Sequence, residues 1–466
     1  MSRWRRHALI VAAVLVSRIS YLAAPVSAQA LKSHADSVLR AFVGTNAPGC
    51  AVAIDSAGNS MYRGAFGLAE LEHQIPITSN TIFEAGSVSK QFTAAAVLLL
   101  EARGKLSLDD PVQQWFPEIP QYQWPVTIRH LMLHTSGMRD WGAVMSLAGW
   151  PRWTATYNHN DALAIIARQR GLNFEPGSAF GYTNTGYNLM AMLVERITGE
   201  SLNTFMQREF FTPLGMTSTS WRDDYTRVVP GRAQAYARRD GAWHLDMPFE
   251  NVYGNGGLLT TAEDLLRWTR AVADGRVGSP SVGAAMRHSG RFNDGRAVNY
   301  GGGIYVSPIR GVASFNHSGA TAGYRAMLAH FPDQQLSAAV LCNRADADAP
   351  GLNIAILAGN LPFVRAQRPV PTLASPPHAL DPARHGDYVG TWYSDEVGGT
   401  LRIMERDGRL HMERRPGQVG VLEPTGVERF SAPSGMSLRF ERAATGVVDR
   451  LFVSVPRVNG MLYLRR

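Results

Sequence analysis

Lys90 is one of only three lysines in the chain, and it follows Ser87 by three positions in the segment Ser-Val-Ser-Lys. Side chains three residues apart on a helix share one face. A serine hydroxyl needs a base to become a nucleophile, and a neutral lysine one turn away can accept its proton. Arginine cannot take this role because its guanidinium stays protonated. A helix-capping serine followed by a surface lysine gives the same four-residue pattern, so the motif alone is not decisive.

Two later segments, Tyr182–Asn184 and His317–Gly319, contain residue types that complement such a pair. A tyrosine can relay protons to a leaving group, and an asparagine amide can hold both a substrate carbonyl and the lysine. Glycine at 319 lets a substrate backbone approach closely. Taken alone, Tyr182 and Asn184 fit a ring packed on a turn and a helix cap equally well.

The elements that must position these residues follow from the hydrophobic pattern. Residues 87–103 have helical character, and the run 94–100 is apolar on every side, which predicts a buried helix that stops at Gly104. A hairpin is predicted at 49–66. Further strands are predicted at 312–315, 324–331 and 336–341, with a closing helix at 350–358, so that His317 would follow the end of a strand.

The C-terminal part of the chain has a different character. Residues 359–384 contain six prolines and no apolar periodicity, which is typical of a linker. From residue 385 to 466, short alternating segments are separated by turns such as Asp407-Gly408 and Asn459-Gly460. This pattern predicts a small, fully antiparallel β domain, either a barrel or a closed sandwich.

The N-terminus has the three parts of an export signal. Arginines occupy positions 3, 5 and 6, residues 8–16 form a short apolar run, and Val26-Ser27-Ala28 is a small-x-small cleavage pattern. The sequence therefore predicts a signal peptide over residues 1–28 and a periplasmic or secreted protein. The alternative is a retained N-terminal anchor, although the run is too short to cross a bilayer as a helix.

Composition excludes several other classes. The 466 residues, 45% hydrophobic and 18% charged, suit a soluble protein of two or more domains. The net charge of +8 falls to about +4 without the four arginines of the predicted leader, so a nucleic-acid partner is not supported. The chain lacks GxSxG, HExxH, Walker and GxGxxG motifs, which argues against α/β-hydrolases, metal hydrolases, P-loop enzymes and dinucleotide enzymes.

In this order and spacing, the three segments resemble the penicillin-recognising serine hydrolases. The resemblance is closest to the class C β-lactamase-like group, which also holds DD-peptidases, D-aminopeptidases and certain esterases. Residues 127–137, 213–217 and 256–265 support it, and it extends over residues 33–358. It implies an α+β fold in which an antiparallel sheet is flanked by helices, with a helical subdomain and the site between them. The catalytic domain is accordingly predicted at residues 29–358.

The resemblance also implies a role for each residue. Ser87 would be the acylated nucleophile, Lys90 the base, Tyr182 the proton relay, and Asn184 the holder of substrate and lysine. Substrate would lie along His317, Ser318 and Gly319, and the backbone N–H groups of Ser87 and Ala320 would form the oxyanion hole. No metal or cofactor is implied. Cys50 and Cys342 would lie on neighbouring strands and could pair; the alternative is two buried thiols.

The third segment departs from the Lys-Thr-Gly of efficient class C β-lactamases. A histidine at 317 is more similar to some DD-peptidases and D-aminopeptidases. We therefore expect an exported hydrolase of D-amino-acid peptides or amides, with three alternatives: a β-lactamase, a small-ester hydrolase, or a non-catalytic peptidoglycan-binding or sensor protein. The segment Tyr388–Tyr393 gives the C-terminal domain a resemblance to lipocalin-like barrels. The sequence leaves the substrate's stereochemistry and the oligomeric state open.

Overall fold

The computed structural model describes residues 28–44, 46–151, 155–365 and 380–466. The predicted leader lies almost wholly outside these residues, as does the central part of the predicted linker, residues 366–379. Within the described ranges, no helix is both long and apolar enough to cross a membrane.

The helices of the described residues are, in chain order, α1 (Ala28–Val43), α2 (Lys90–Ala102), α3 (Val112–Trp115), α4 (Ile128–Met132), α5 (Trp141–Leu147), α6 (His159–Ala167), α7 (Thr185–Thr198), α8 (Leu202–Met206), α9 (Ala262–Ala273), α10 (Pro280–Arg287) and α11 (Ala349–Leu357). The strands of the N-terminal part are β1 (Cys50–Ser56), β2 (Asn59–Phe66), β3 (Leu68–Glu70), β4 (Ile75–Pro76), β5 (Phe83–Glu84), β6 (Ser220–Trp221), β7 (Tyr236–Arg239), β8 (Ala242–Leu245), β9 (Leu258–Thr260), β10 (Tyr305–Val306), β11 (Phe315–Thr321), β12 (Tyr324–Phe331) and β13 (Leu336–Cys342).

The C-terminal strands are β14 (Gly390–Ser394), β15 (Gly399–Arg406), β16 (Arg409–Glu413), β17 (Val419–Val421), β18 (Glu423–Gly426), β19 (Arg429–Ala432), β20 (Met436–Arg442), β21 (Val448–Val455) and β22 (Val458–Arg465).

A six-stranded antiparallel sheet, in the order β10-β11-β12-β13-β1-β2, forms the centre of the N-terminal domain. Strand β1 shows why both faces are covered. Its side chains alternate, so that Val52 and Ile54 join the core beneath α1 and α11, whereas Ala51 and Ala53 join the core that contains α2 and α9. Small residues on the second face allow the buried helix α2 to lie close to the sheet. The expected α+β arrangement is confirmed.

Helix α2 is buried from Lys90 to Leu100, as its apolar sequence predicts. Gly104, with φ of 66°, ends it in the left-handed conformation that glycine adopts without strain. The predicted start is different, because residues 86–89 form a separate 3-10 turn before the α-helix begins at Lys90. Ser87 therefore lies on the turn that enters α2.

The strand predicted at 312–315 is wrong. Val312 pairs with Ile309 in a tight turn, and the strand β11 begins only at Phe315. The segment His317–Gly319 consequently lies inside β11 and not beyond the end of a strand. Its residues pair with Ala326, Met327 and Leu328 of β12, which fixes their positions along that strand.

The C-terminal domain is a nine-stranded antiparallel sheet in the order β17-β16-β15-β14-β22-β21-β20-β19-β18, curled into a nearly closed barrel. Tyr388, Trp392, Phe430 and Phe440 form its aromatic centre. The short strands β17, β18 and β19 were not predicted, since their sequences show little alternation.

The predicted hairpin turn at Asn459-Gly460 is also wrong. These two residues lie inside β22, and the turn between β21 and β22 is formed by Pro456 and Arg457. Proline fixes the φ that the second position of such a turn requires. The backbone N–H of Asn459 instead donates a hydrogen bond to Asn173 Oδ1 of the N-terminal domain, at 2.8 Å.

The C-terminal sheet docks against the helical part of the N-terminal domain. Arg139 Nη1 contacts Glu396 Oε2 at 2.6 Å, and both side chains are largely buried. The same carboxylate accepts from the backbone N–H of Arg170 at 2.7 Å. The guanidinium of Arg415 lies 3.3 Å from the ring centroid of Trp150. Apolar side chains of both domains form one continuous core, so the two domains share a packed interface.

We expect a chain cleaved by a protease between residues 366 and 379 to remain one particle in gel filtration. Glu396→Ala should release the C-terminal fragment after cleavage, because removing one partner of a buried ion pair costs about 3–5 kcal/mol. Glu423→Ala is the matched control, since Glu423 forms an exposed pair with Arg409 inside the sheet. Two separate peaks from the cleaved wild-type chain would contradict the shared interface.

A disulfide joins Cys50 and Cys342. The two residues are directly opposite each other where β1 begins and β13 ends, with Cα atoms 4.1 Å apart. The bond closes a loop with a sequence separation of 292 residues. It ties β1 to β13, which are neighbours in the sheet although they are the first and last of its strands along the chain.

Replacing both cysteines by alanine should lower the free energy of unfolding by about 2–4 kcal/mol, because the unfolded chain gains conformational entropy. Activity at room temperature should be unchanged, since the sheet register is also set by backbone pairing. Denaturant titration of the double variant and of wild type, with and without reductant, measures the effect. Two titratable thiols in unfolded, unreduced wild-type protein would show that the disulfide is absent.

Candidate active site

The side chain of Lys90 is completely buried and is surrounded by three oxygen atoms. Its Nζ lies 3.1 Å from Ser87 Oγ, 3.1 Å from Asn184 Oδ1 and 2.7 Å from the backbone oxygen of Asn255. All three belong to neutral groups. In the neutral amine, two N–H bonds can serve the amide oxygens while the lone pair faces the serine hydroxyl, which is the arrangement a general base requires.

The turn that carries Ser87 is anchored to the neighbouring strand. Ser89 Oγ donates to the carbonyl of Gly86 at 2.6 Å and accepts from the backbone N–H of Leu258 at 3.1 Å. The N–H of Ala85 donates to the carbonyl of Leu258 at 2.8 Å. These bonds hold the turn against β9, so the loop that supplies Asn255 stays next to Lys90.

Asn184 and Asn255 are themselves held by buried polar residues. The backbone N–H of Asn184 donates to Asp140 Oδ2 at 2.8 Å. Asn188 Nδ2 donates to Asn255 Oδ1 at 2.7 Å, and Trp141 Nε1 donates to Asn188 Oδ1 at 2.9 Å. The network fixes which oxygen atoms face the lysine.

Sequence reasoning did not identify Asp140, Asn188 or Asn255. Asp140 does carry a signal, because an aspartate before an apolar helix is a typical N-cap, and its Oδ1 accepts from the backbone N–H of Ala143. The sequence around Asn188 and Asn255 gives no such signal, since their role depends on contacts between segments that are distant in the sequence.

Tyr182 lies beside both Ser87 and Lys90. Its hydroxyl is hydrogen-bonded to Ser87, and burial raises the pKa of Tyr182 well above its usual value, an effect that Ser87 and Arg457 partly offset. The ring contacts that of His134, with centroids 4.2 Å apart, and lies 4.8 Å from Lys90 Nζ. A tyrosine that stays protonated and contacts both the serine and the lysine can pass a proton to a leaving group.

His317 is buried and neutral. Burial, and to a smaller extent Lys90 in its protonated form, lowers the pKa of His317 to about 3. The hydroxyl of Tyr300 lies 3.0 Å from Nε2, and Nδ1 lies 2.6 Å from the carbonyl of Ser318. The ring therefore supplies no positive charge to the site. Ser318 is exposed on β11.

Two glycines bring the turn and the strand into direct contact. A Cβ at Gly319 would lie 2.0 Å from the carbonyl oxygen of Ala85, and a Cβ at Gly86, where φ is 52°, would lie 2.6 Å from the backbone nitrogen of Ala320. Only glycine fits such an approach. Ser87 and Ala320 both line the cavity next to this contact, which is the placement that an oxyanion hole built from their backbone N–H groups requires.

The cavity at Ser87 has a volume of about 190 Å³ and a mostly polar wall. Glu84 and Arg222 form a buried ion pair within it, with Oε2 and Nε 2.8 Å apart. Its lining residues are Glu84, Gly86, Ser87, Asn184, Arg222, Glu250, Val252, Asn255, Gly256, Ala320, Thr321 and Arg457. Among the described residues, Glu70, Glu72 and His73 bring together ligand atoms that could hold a metal, but none of them lines this cavity.

Residues 35–361 match the beta-lactamase family. The chain belongs to the beta-lactamase family. It is 29% identical over 379 residues to penicillin-binding protein 4* of Bacillus subtilis (strain 168), which covers 76% of this chain and 81% of that protein. It is also 29% identical over 306 residues to a D-aminopeptidase of Gluconobacter oxydans (strain 621H), covering 64% of this chain and 56% of that protein. The chain thus spans little more than half of that D-aminopeptidase.

Solved structures show the same fold. The crystal structure of SurE aligns with 94% of this chain and 99% of its own, with a TM-score of 0.61 and 24% identity. The D-amino acid amidase from Ochrobactrum anthropi SV3, complexed with L-phenylalanine, aligns with 71% of this chain and 98% of its own, with a TM-score of 0.60 and 21% identity. This member of the beta-lactamase family is a serine hydrolase.

Ser87→Ala should abolish hydrolysis by this beta-lactamase-family enzyme without unfolding it. Lys90→Arg should lower kcat by about 10²–10⁴-fold, because arginine cannot accept the proton. Lys105→Arg is the matched control, since Lys105 is exposed. Steady-state rates on an activated ester and circular dichroism of each variant provide the test. Near-normal kcat for Lys90→Arg would contradict the serine–lysine mechanism.

Proposed function

We propose that the protein is an exported serine hydrolase that cleaves peptide or amide bonds next to D-amino acids through a Ser87 acyl-enzyme. The observation that carries the proposal is the position of Lys90 Nζ, held between Ser87 Oγ and two amide oxygens. The substrate class is supported by the relatives named D-aminopeptidase.

In the first half of the reaction, Ser87 Oγ attacks the scissile carbonyl carbon while its proton passes to Lys90 Nζ. The resulting oxyanion accepts hydrogen bonds from the backbone N–H groups of Ser87 and Ala320. Tyr182 then donates its proton to the leaving nitrogen and is reprotonated from Lys90. The C–N bond breaks, the amine departs, and the acyl group remains on Ser87.

In the second half, water attacks the acyl carbonyl and gives its proton to the same relay. The Ser87–acyl bond breaks, Oγ recovers a proton, and a carboxylic acid is released. Every proton taken from a nucleophile is returned to a leaving group, so the cycle needs no oxidant, reductant or further reactant.

The uncharged His317 in the segment His317–Gly319 favours a peptide or amide substrate over a β-lactam. The Lys-Thr-Gly of efficient class C β-lactamases places a permanent charge where this chain has His317, which is buried and neutral. Because penicillin-binding protein 4* is among the relatives, β-lactam acylation is the main alternative activity.

Export is supported by the disulfide between Cys50 and Cys342, because such bonds persist in oxidising compartments. The predicted signal peptide over residues 1–28 is consistent with this location.

Four substrates assayed side by side test the function: D-alanyl-p-nitroanilide, its L enantiomer, nitrocefin and p-nitrophenyl acetate. We expect kcat/KM for the D anilide to exceed that for the L anilide and for nitrocefin, with every activity lost in Ser87→Ala. A preference for the L anilide would overturn the D-specific assignment. Faster nitrocefin turnover would favour a β-lactamase, and turnover of the acetate alone would favour an esterase.

A further inference from the structure

His134 is a buried histidine that contacts Tyr182 without belonging to the hydrogen-bonded group around Lys90. Its side chain is completely buried. Four aromatic rings surround it, with centroids 4.2 to 5.7 Å from its own, and they belong to Tyr182, Tyr187, Tyr300 and Phe180. Its φ is 59°, a left-handed conformation that a residue with a side chain adopts at a cost. Such strain persists where the surroundings hold it, often at functional sites.

The backbone on both sides of Tyr182 is bonded to His134. The carbonyl of His134 accepts from the backbone N–H of Gly181 at 2.8 Å, and its Nδ1 accepts from the backbone N–H of Thr183 at 3.3 Å. The imidazole ring lies against the ring of Tyr182, with an interplanar angle of 36°. One residue therefore holds Tyr182 at three points, through the residue before it, the residue after it and its own ring.

The bond to Thr183 requires a neutral imidazole. Because Nδ1 accepts, the proton of the ring is on Nε2. Burial, and to a smaller extent the positive charges that Lys90, His317 and Arg457 can carry, keeps the pKa of His134 well below its usual value. Among the described residues, Nε2 has no hydrogen-bond partner. An apolar ring would fill this space without burying an unpaired donor, so the feature that distinguishes histidine here is the acceptor at Nδ1.

We propose that His134 is a positioning residue for Tyr182, which keeps the phenol hydroxyl at Ser87 so that its proton reaches the leaving atom. This rests on the proton-relay role of Tyr182 in the proposed function. A catalytic group displaced by about 1 Å can lose on the order of 10²-fold in rate. That loss should depend on the leaving group, because an anilide nitrogen must be protonated as the C–N bond breaks, whereas p-nitrophenolate departs as a stable anion.

Two substrates test the proposal, D-alanyl-p-nitroanilide and p-nitrophenyl acetate. The quantity measured is kcat/KM, which reflects the steps up to release of the first product. His134→Phe keeps a ring but removes the acceptor for Thr183. It should lower kcat/KM for the anilide by about 10–100-fold and leave that for the acetate nearly unchanged. An equal loss on both substrates, or no loss on the anilide, would overturn the proposal.

Two further variants separate the acceptor from the ring. His134→Asn should lose less activity on the anilide than His134→Phe, because the asparagine oxygen can take the place of Nδ1 and asparagine tolerates a positive φ. An equal loss in both variants would contradict a role for the acceptor. His330→Phe is the matched control, since this partly buried histidine lies on β12 with its Nδ1 2.9 Å from Ser337 Oγ.

The same change made in a Tyr182→Phe background distinguishes positioning from packing. Without the phenol hydroxyl, His134→Phe should cause no further loss on the anilide, because residues that act through one group are not additive. A further loss as large as in the wild-type background would show that His134 does not act through Tyr182. If His134→Phe does not fold by circular dichroism, His134→Gln replaces it, since the longer amide reaches the position of Nε2 and leaves Thr183 without its acceptor.

A series of acetate esters makes the test independent of the substrate assignment. The p-nitrophenyl, phenyl and trifluoroethyl esters share one acyl group and release increasingly basic leaving groups. If wild type turns over no D-alanyl anilide, the proposed function fails, and the esters decide the role of His134 separately. The loss of kcat/KM in His134→Phe should then grow from the p-nitrophenyl to the trifluoroethyl ester. The same loss on all three esters would contradict positioning of a proton donor.

Discussion

The buried amine of Lys90 is the constraint on which the site depends. A lysine removed from water must have each of its polar contacts supplied by the protein. Here they come from three separate segments: the turn at Ser87, the N-terminus of α7 at Asn184, and the loop before β9 at Asn255. Helix α2, apolar on all sides, anchors the lysine at the place where these segments meet.

That requirement explains the polar residues that lie behind Asn184 and Asn255. Asp140 holds the backbone of Asn184, and Asn188 holds Asn255 while being held by Trp141. Each bond satisfies a group that would otherwise be buried without a partner. Asp140 has a second role, because its backbone N–H bonds to the carbonyl of Arg457. The same residue thereby connects Asn184 with the C-terminal sheet.

The central sheet, helix α2 and the existence of a C-terminal β domain could be predicted from hydrophobic pattern and turn residues. The roles suggested for Ser87, Lys90, Tyr182 and Asn184 came from a family resemblance, and the structure brings these four residues together. Predictions from local sequence pattern were wrong where tertiary contacts determine the secondary structure. Asn459-Gly460 is a strong hairpin signal, yet a bulge and a bond to Asn173 place it inside β22. The turn is instead formed by Pro456 and Arg457. The sequence therefore did not predict that the C-terminal domain places Arg457 on the cavity wall.

The central claim is that Ser87 is the activated nucleophile. The most direct measurement is peptide mapping by mass spectrometry after a short exposure to an alkyl fluorophosphonate, which reacts with activated serines. The account predicts one adduct per chain, on the peptide segment at Ser87 and not on Ser89, whose hydroxyl is fully buried and bonded to the carbonyl of Gly86. An adduct on any other serine, or an unmodified chain that still hydrolyses substrate, would contradict it.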